Sequence, residues 1–167
     1  EKDPETAQKA ISDFADYLRG NMDSLESSSP ISFRAELSHV KYYLNLEQLR
    51  LGDELNVVYS LHAEDFSLPP LTVVTLVENA VKHGVAKAED GGTVTISTWE
   101  GKDSYSVEIR DDGVGFDMEQ HEKDDRTHIG IENVRTRLRV ISGGELYIFS
   151  APGEGTKAII KIPKKGL

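Results

Sequence analysis

Pro69-Pro70-Leu71-Thr72-Val73-Val74-Thr75-Leu76-Val77-Glu78-Asn79-Ala80-Val81-Lys82-His83-Gly84 reads as one helix with two chemically different sides. The paired prolines halt an extended approach and permit a helix to begin, and Gly84 offers an end. At about 100° per residue, Val73, Val74, Leu76, Val77, Ala80 and Val81 fall together, a face suited to covering a sheet. Thr72, Thr75, Glu78, Asn79, Lys82 and His83 share an arc of roughly 140° opposite them. Taken alone, that polar arc fits a solvated surface as well as it fits a site.

Upstream, Asp3 and Pro4 suit the start of a first helix, with an apolar stripe of Ala7, Ile11, Phe14, Leu18 and Leu25 fit for another helix. That helix either folds back on its own domain or belongs to a separate helical element. Residues 26–30 read as a turn or linker. Ser32 caps a second helix in which Phe33, Leu37, Val40, Leu44 and Leu51 share a face, leaving Tyr42, Tyr43, Glu47 and Arg50 at the surface or toward a partner. Gly52-Asp53 ends it, and Leu55 to Leu61 alternates as a strand.

Downstream, Thr93 to Trp99 and Ser104 to Arg110 form a strand hairpin, as do Glu145 to Ser150 and Thr156 to Pro163. Between the hairpins, Asp111-Asp112-Gly113-Val114-Gly115-Phe116 follows a strand, and His128-Ile129-Gly130-Ile131-Glu132-Asn133-Val134 opens a helix with an apolar stripe of Ile131, Val134, Leu138 and Ile141. Asp117 to Thr127 is charged and aperiodic, a disordered loop or a mobile lid. Helices followed by hairpin-linked strands predict an α+β, two-layer α/β sandwich.

The 167 residues suffice for one domain with a core plus an appended element. With 38% hydrophobic and 29% charged residues the composition is that of a soluble globular chain, and no run approaches the ~20 apolar residues of a membrane span. No signal peptide is present, and a start at Glu1 suggests a piece of a longer protein. The absence of cysteine rules out disulfides and thiolate metal sites. A net charge of −10 argues against nucleic acid or an anionic membrane as partner.

In this order and at these spacings, with Gly153-Glu154-Gly155-Thr156 near the end, the motifs resemble the ATP-binding domain of sensor histidine kinases of the GHKL superfamily. The nearest likeness is to the LytS-like class, whose pattern runs Pro-Pro and then Leu-Val-Glu-Asn-Ala-x-Lys-His-Gly. The resemblance implies the Bergerat ATP-binding fold, with residues 1–29 as the trailing helix and linker of a dimerisation and phosphoacceptor hairpin and residues 30–167 as the catalytic ATP-binding domain.

It further implies ATP and Mg²⁺ as cofactors. Mg²⁺ prefers oxygen ligands and keeps several waters, so one amide oxygen suits it; the resemblance places Asn79 there. Glu78, beside it, could accept a proton, hold a metal-bound water or stay solvated, and Glu78 and Asn79 are the catalytic candidates. Lys82 could neutralise phosphate charge or remain at the surface, and His83 is expected to bond or pack near the nucleotide. Asp112 is assigned to the exocyclic amine of adenine, with Gly113, Gly115 and Phe116 shaping the wall and Thr156 supporting the contact through water. Gly130 and Ile131 would meet phosphate at a helix mouth with free N–H groups.

Two departures stand out. ATPases of the superfamily carry a carboxylate base one turn before Asn79, where this chain has Thr75, a poor base at neutral pH. His128 replaces a glycine common in the family's lid. The expected activity is transfer of the ATP γ-phosphate to a histidine of the same or a partner subunit outside this fragment. In this class that histidine sits in an Asn-Pro-His-Phe setting, which none of His39, His62, His83, His121 or His128 has. A response regulator and a homodimeric full-length protein follow as partners, and a cytoplasmic domain of a membrane-bound bacterial sensor as location. The alternatives are a GHKL-type ATPase and a non-catalytic, nucleotide-stabilised dimerisation module.

Overall fold

The computed structural model describes residues 3–26, 29–118 and 125–164. In chain order these residues form α1 (Pro4–Glu26), β1 (Ile31–Ser32), α2 (Phe33–Leu51), β2 (Leu55–Leu61), β3 (Ser67–Leu68) and α3 (Val73–Asn79). Then follow β4 (Gly92–Glu100), β5 (Ser104–Asp111), α4 (Asp125–Arg137), β6 (Glu145–Ser150) and β7 (Thr156–Pro163). The main sheet has the order β2-β4-β5-β7-β6. Its pairs are antiparallel except β2 with β4, which run parallel because α3 lies between them as a crossover. A two-stranded ribbon, β1 with β3, ties the start of α2 to the approach to α3.

The sheet is one-sided. Val94, Ile96, Val107, Ile109, Ala158 and Ile160 point inward and are buried, while Val58, Trp99, Tyr147 and Phe149 on the strands are exposed. The helices cover the inner face with the stripes their periodicity demands: Phe33, Leu37, Val40 and Leu44 from α2, Val73, Val74, Leu76 and Val77 from α3, and Val134 and Leu138 around α4. The predicted two-layer α/β arrangement is thus the one found. Ser32 caps α2 as expected, its Oγ accepting from the Ala35 N–H at 3.2 Å, and Gly52 closes it with φ 59°.

Helix α3 differs from its expected form at both ends. The prolines do not open it: Leu71, at φ 57°, makes a turn after them and the helix starts at Val73. Thr72, assigned to the polar arc, is instead fully buried, its hydroxyl donating to the Pro69 carbonyl at 2.7 Å. Glu36, buried in α2, accepts from the N–H groups of Leu71 (3.1 Å), Val73 (2.9 Å) and Val74 (3.2 Å), and so caps α3 from another helix. Arg137 braces the same turn by donating to the Leu71 carbonyl at 2.9 Å. Nor does Gly84 end the helix. After Asn79 it widens into a π turn over Ala80–Gly84 and tightens into a 3₁₀ turn over Val85–Lys87.

Helix α1 packs on α2 through Asp13 and Tyr17, while Ile11, Phe14, Leu18 and Met22 are exposed. Tyr43, expected at the surface, is buried because Tyr17 lies over it with ring centroids 5.7 Å apart. The lid expected over residues 117–127 falls in part on residues 119–124, outside the described residues, and from Asp125 the chain is already α4.

Candidate active site

A cavity of about 180 Å³ opens between α3 and the inner face of β5 and β7. That is several times the roughly 30 Å³ share of one water, and its walls are mostly apolar, as small-molecule pockets are. Leu76, Ala80, Ile109, Ile131 and Ala158 supply the apolar surface, and Asn79, His83, Lys87, Asp111 and Thr156 the polar points.

Asp111 is the most constrained of these. Alternation along β5 puts Val107, Ile109 and Asp111 on the inner face. Its carboxylate is 2% exposed and accepts from the Gly113 N–H at 3.0 Å, with the Thr156 N–H also directed at it. Burial pushes its pKa up to about 6 against those two N–H groups, and the charge of Asp112 adds to the rise. Two glycines make the placement possible. A Cβ on Gly84 would stand 2.4 Å from Asp111 Oδ1, and one on Gly113 would stand 2.2 Å from the Gly84 carbonyl carbon.

Asp112, the residue expected to meet adenine, is turned away. Its carboxylate accepts from the Thr93 N–H at 2.6 Å at the sheet's edge and does not line the cavity. It lies just past the last inward position of β5, so its side chain takes the other direction. The acidic residue at the site is its neighbour, and the i, i+2 spacing from Ile109 is the signal that identifies it.

Asn79, His83, Gly115, Phe116, Ile131 and Thr156 all line the cavity. Asn79 presents a carboxamide whose Nδ2 is buried without a hydrogen-bond partner. Thr156 Oγ1 meets Ser150 Oγ at 2.9 Å, and Ser150 also accepts from the Phe116 N–H at 3.0 Å, so Ser150 fixes both wall residues from outside. Neither Ser150 nor Lys87 stands out in the sequence; both act through contacts that local pattern does not show.

Three expected residues lie elsewhere. The Glu78 carboxylate points to α1, where it accepts from the Tyr17 hydroxyl, and Lys82 Nζ follows it at 3.4 Å. Gly130 is the sixth residue of α4, whereas the unpaired N–H groups of a helix belong to its first turn. A Cβ on Gly130 would meet only Thr75 Cγ2 at 3.9 Å, so packing does not require glycine there. The side chain of His128 lies outside the described residues. Thr75, at the position of the superfamily's base, donates its hydroxyl to the Leu71 carbonyl at 2.6 Å.

The family described as histidine kinase-, DNA gyrase B- and HSP90-like ATPases matches residues 70–166, and the histidine kinase family matches residues 1–55. The sensor histidine kinase YpdA of Escherichia coli (strain K12) is 33% identical over 97% of this chain and 29% of its own length. The sensor protein LytS of Bacillus anthracis is 30% identical over 98% of this chain and 30% of its own length. The chain thus spans less than a third of these two sensors, and 60% of another curated relative. In structure, the catalytic domain of histidine kinase ThkA matches with a TM-score of 0.62 at 15% identity, covering 81% of this chain and 95% of that one, which shows the shared fold. The chain belongs to the histidine kinase-, DNA gyrase B- and HSP90-like ATPase family, in its LytS-like sensor histidine kinase branch.

Proposed function

We propose that this chain is the ATP-binding catalytic domain of a two-component sensor histidine kinase and presents the γ-phosphate of ATP to a histidine outside it. The observation that carries the reading is Asp111. A buried carboxylate, held by two backbone N–H groups at the inner wall of a mostly apolar cavity, suits a flat heterocycle that offers an amine. Adenine's exocyclic amine donates to it, Gly115 and Phe116 form the adjoining wall, and Thr156 supports the contact through water. Ile131 packs on the nucleotide from α4, and His83 and Lys87 contribute polar contacts from the α3 side.

Among the described residues no group of three or more His, Asp or Glu side chains could cage a metal ion. That fits Mg²⁺, which binds through phosphate oxygens and water with few protein ligands. Asn79 fits the single ligand required, since a half-turn of its unpartnered carboxamide presents the oxygen to the cavity. Bound there, Mg²⁺ would neutralise triphosphate charge. This chain's own residues bind, orient and exclude water, and catalysis rests on positioning. Thr75, its hydroxyl engaged with Leu71, does not activate water, which disfavours the plain ATPase alternative.

The acceptor histidine and the response regulator belong to the longer protein. Inside the chain, His39 is bonded to the Tyr17 carbonyl at 3.1 Å and His62 to Ser60 at 3.1 Å, so neither is a free acceptor. No helix among the described residues is long and apolar enough to cross a membrane, and attachment to a bacterial membrane would come from outside this chain.

Calorimetric titration with ATP and Mg²⁺ tests the reading. Asp111→Asn is expected to abolish binding and Asp112→Asn to keep it within about threefold, a difference of under ~1 kcal/mol. Equal loss in both variants, or no binding by the unaltered chain, would sink the assignment.

A further inference from the structure

Helix α1 buries its polar side. Asp13 is held by Lys9 at 2.6 Å and by the Asn45 amide of α2 at 3.2 Å. Gly20 admits the His39 ring, which a Cβ there would approach to 3.2 Å. Tyr17 stands against His39 and Tyr43, with ring centroids 5.1 and 5.7 Å away. From this position its hydroxyl donates to Glu78 Oε1 on α3, while Lys82 Nζ takes Oε2 at 3.4 Å and lies 5.9 Å over the Tyr43 ring. Burial, together with the carboxylate it serves, pushes the Tyr17 phenol up to about 12, so it remains a donor across the physiological range.

Glu78 directly precedes Asn79, and one helical step of about 100° separates their directions. Asn79 faces the cavity and Glu78 faces α1. A triphosphate drawn to Asn79 would meet an anion one residue away, in a chain that already carries −10. Like charges a few ångströms apart disfavour each other strongly where water is scarce. Tyr17 and Lys82 together keep that carboxylate turned from the cavity.

Resting on the nucleotide reading above, we propose that Tyr17 is a positioning residue for triphosphate binding: by clasping Glu78 from α1, it removes a negative charge from the phosphate end of the site. Docking of α1 and binding of ATP then favour each other, and the coupling runs both ways. The base end of the cavity, at Asp111, takes no part in it.

The test compares ATP with adenosine on this chain, both titrated calorimetrically in the presence of Mg²⁺. Tyr17→Phe is expected to weaken ATP about five- to tenfold and to leave adenosine within twofold. In a Glu78→Gln background, where there is no charge to restrain, the same substitution is expected to leave ATP affinity unchanged. Equal weakening of both ligands would mean that Tyr17 only supports the fold and would overturn the proposal. So would unchanged ATP affinity in Tyr17→Phe, or an undiminished loss in the Glu78→Gln background. Failure of the unaltered chain to bind adenosine or ATP would instead overturn the nucleotide reading itself.

Discussion

Two adjacent aspartates at the end of β5 have opposite surroundings. Asp111 continues the inward series of Val107 and Ile109, and Asp112 bonds a neighbouring strand's backbone at the edge. A purely local reading favours the acid beside the glycine, whereas strand alternation favours the one before it, and the structure follows alternation. The motif residues Asn79, His83, Gly115, Phe116, Ile131 and Thr156 were legible as a set because each sits in a distinctive local pattern, and each lines the cavity. Lys87, Ser150 and Glu36 were not, because their roles arise from partners distant in sequence.

The raised pKa of Asp111 makes a prediction with a definite sign. Its folded value of about 6 lies above the ordinary 3.8, so between those pH values the folded chain holds the proton more tightly than the unfolded one. Asp111 therefore contributes a stability that is complete below about pH 4 and is lost as pH rises through 6, on the order of 3 kcal/mol. Nucleotide affinity runs the other way, since the amine needs the anion, and is expected to fall as pH drops below 6. Denaturation and titration from pH 4.5 to 7.5 would measure both, with Asp111→Asn as the reference. An unchanged pH slope of stability in that variant would remove Asp111 as the cause.

At the scale of elements, α3 is held at its start by groups it does not own. Three of its leading N–H groups depend on Glu36, and the turn before it depends on Arg137. Burial raises the Glu36 pKa, while the three N–H groups and the Arg137 charge pull it back down. Glu36→Ala is expected to cost about 3–5 kcal/mol, because it strands buried amides and leaves a half-buried guanidinium without its counter-charge. Chemical denaturation would check this, and a loss under ~1 kcal/mol would mean the amides find other acceptors. The strands β2, β6 and β7 were readable to the residue from alternation and turns. The start of α3 was not, because a positive φ at Leu71 is stabilised only by side chains from α2 and α4.

At the scale of the molecule, the two-layer arrangement followed from the order of helices and hairpins, but the parallel pairing of β2 with β4 did not, since a weakly alternating strand carries no sign of its neighbour. Helix α1 showed its stripe in the sequence but not which side would dock. Its apolar side, with Ile11 72% and Met22 65% exposed, is free to meet a second copy, as the proposed homodimer requires. Ile11→Glu combined with Leu18→Glu is expected to shift the chain toward monomer in sedimentation equilibrium while changing its stability by less than about 0.5 kcal/mol per site. Unaltered sedimentation would exclude this stripe as the interface.

The widened turn over Ala80–Gly84 also bears on what changes of length the chain tolerates. A π turn holds one residue more than an α turn, so everything after it is rotated by that surplus. Deleting a single residue there would let an ordinary helix form, with every backbone bond satisfied, yet carry Gly84 and Lys87 about 100° around the axis from Asp111. The fold would survive and the site would not. In related chains, insertions and deletions should therefore be rarer across these five positions than their place near a helix end suggests.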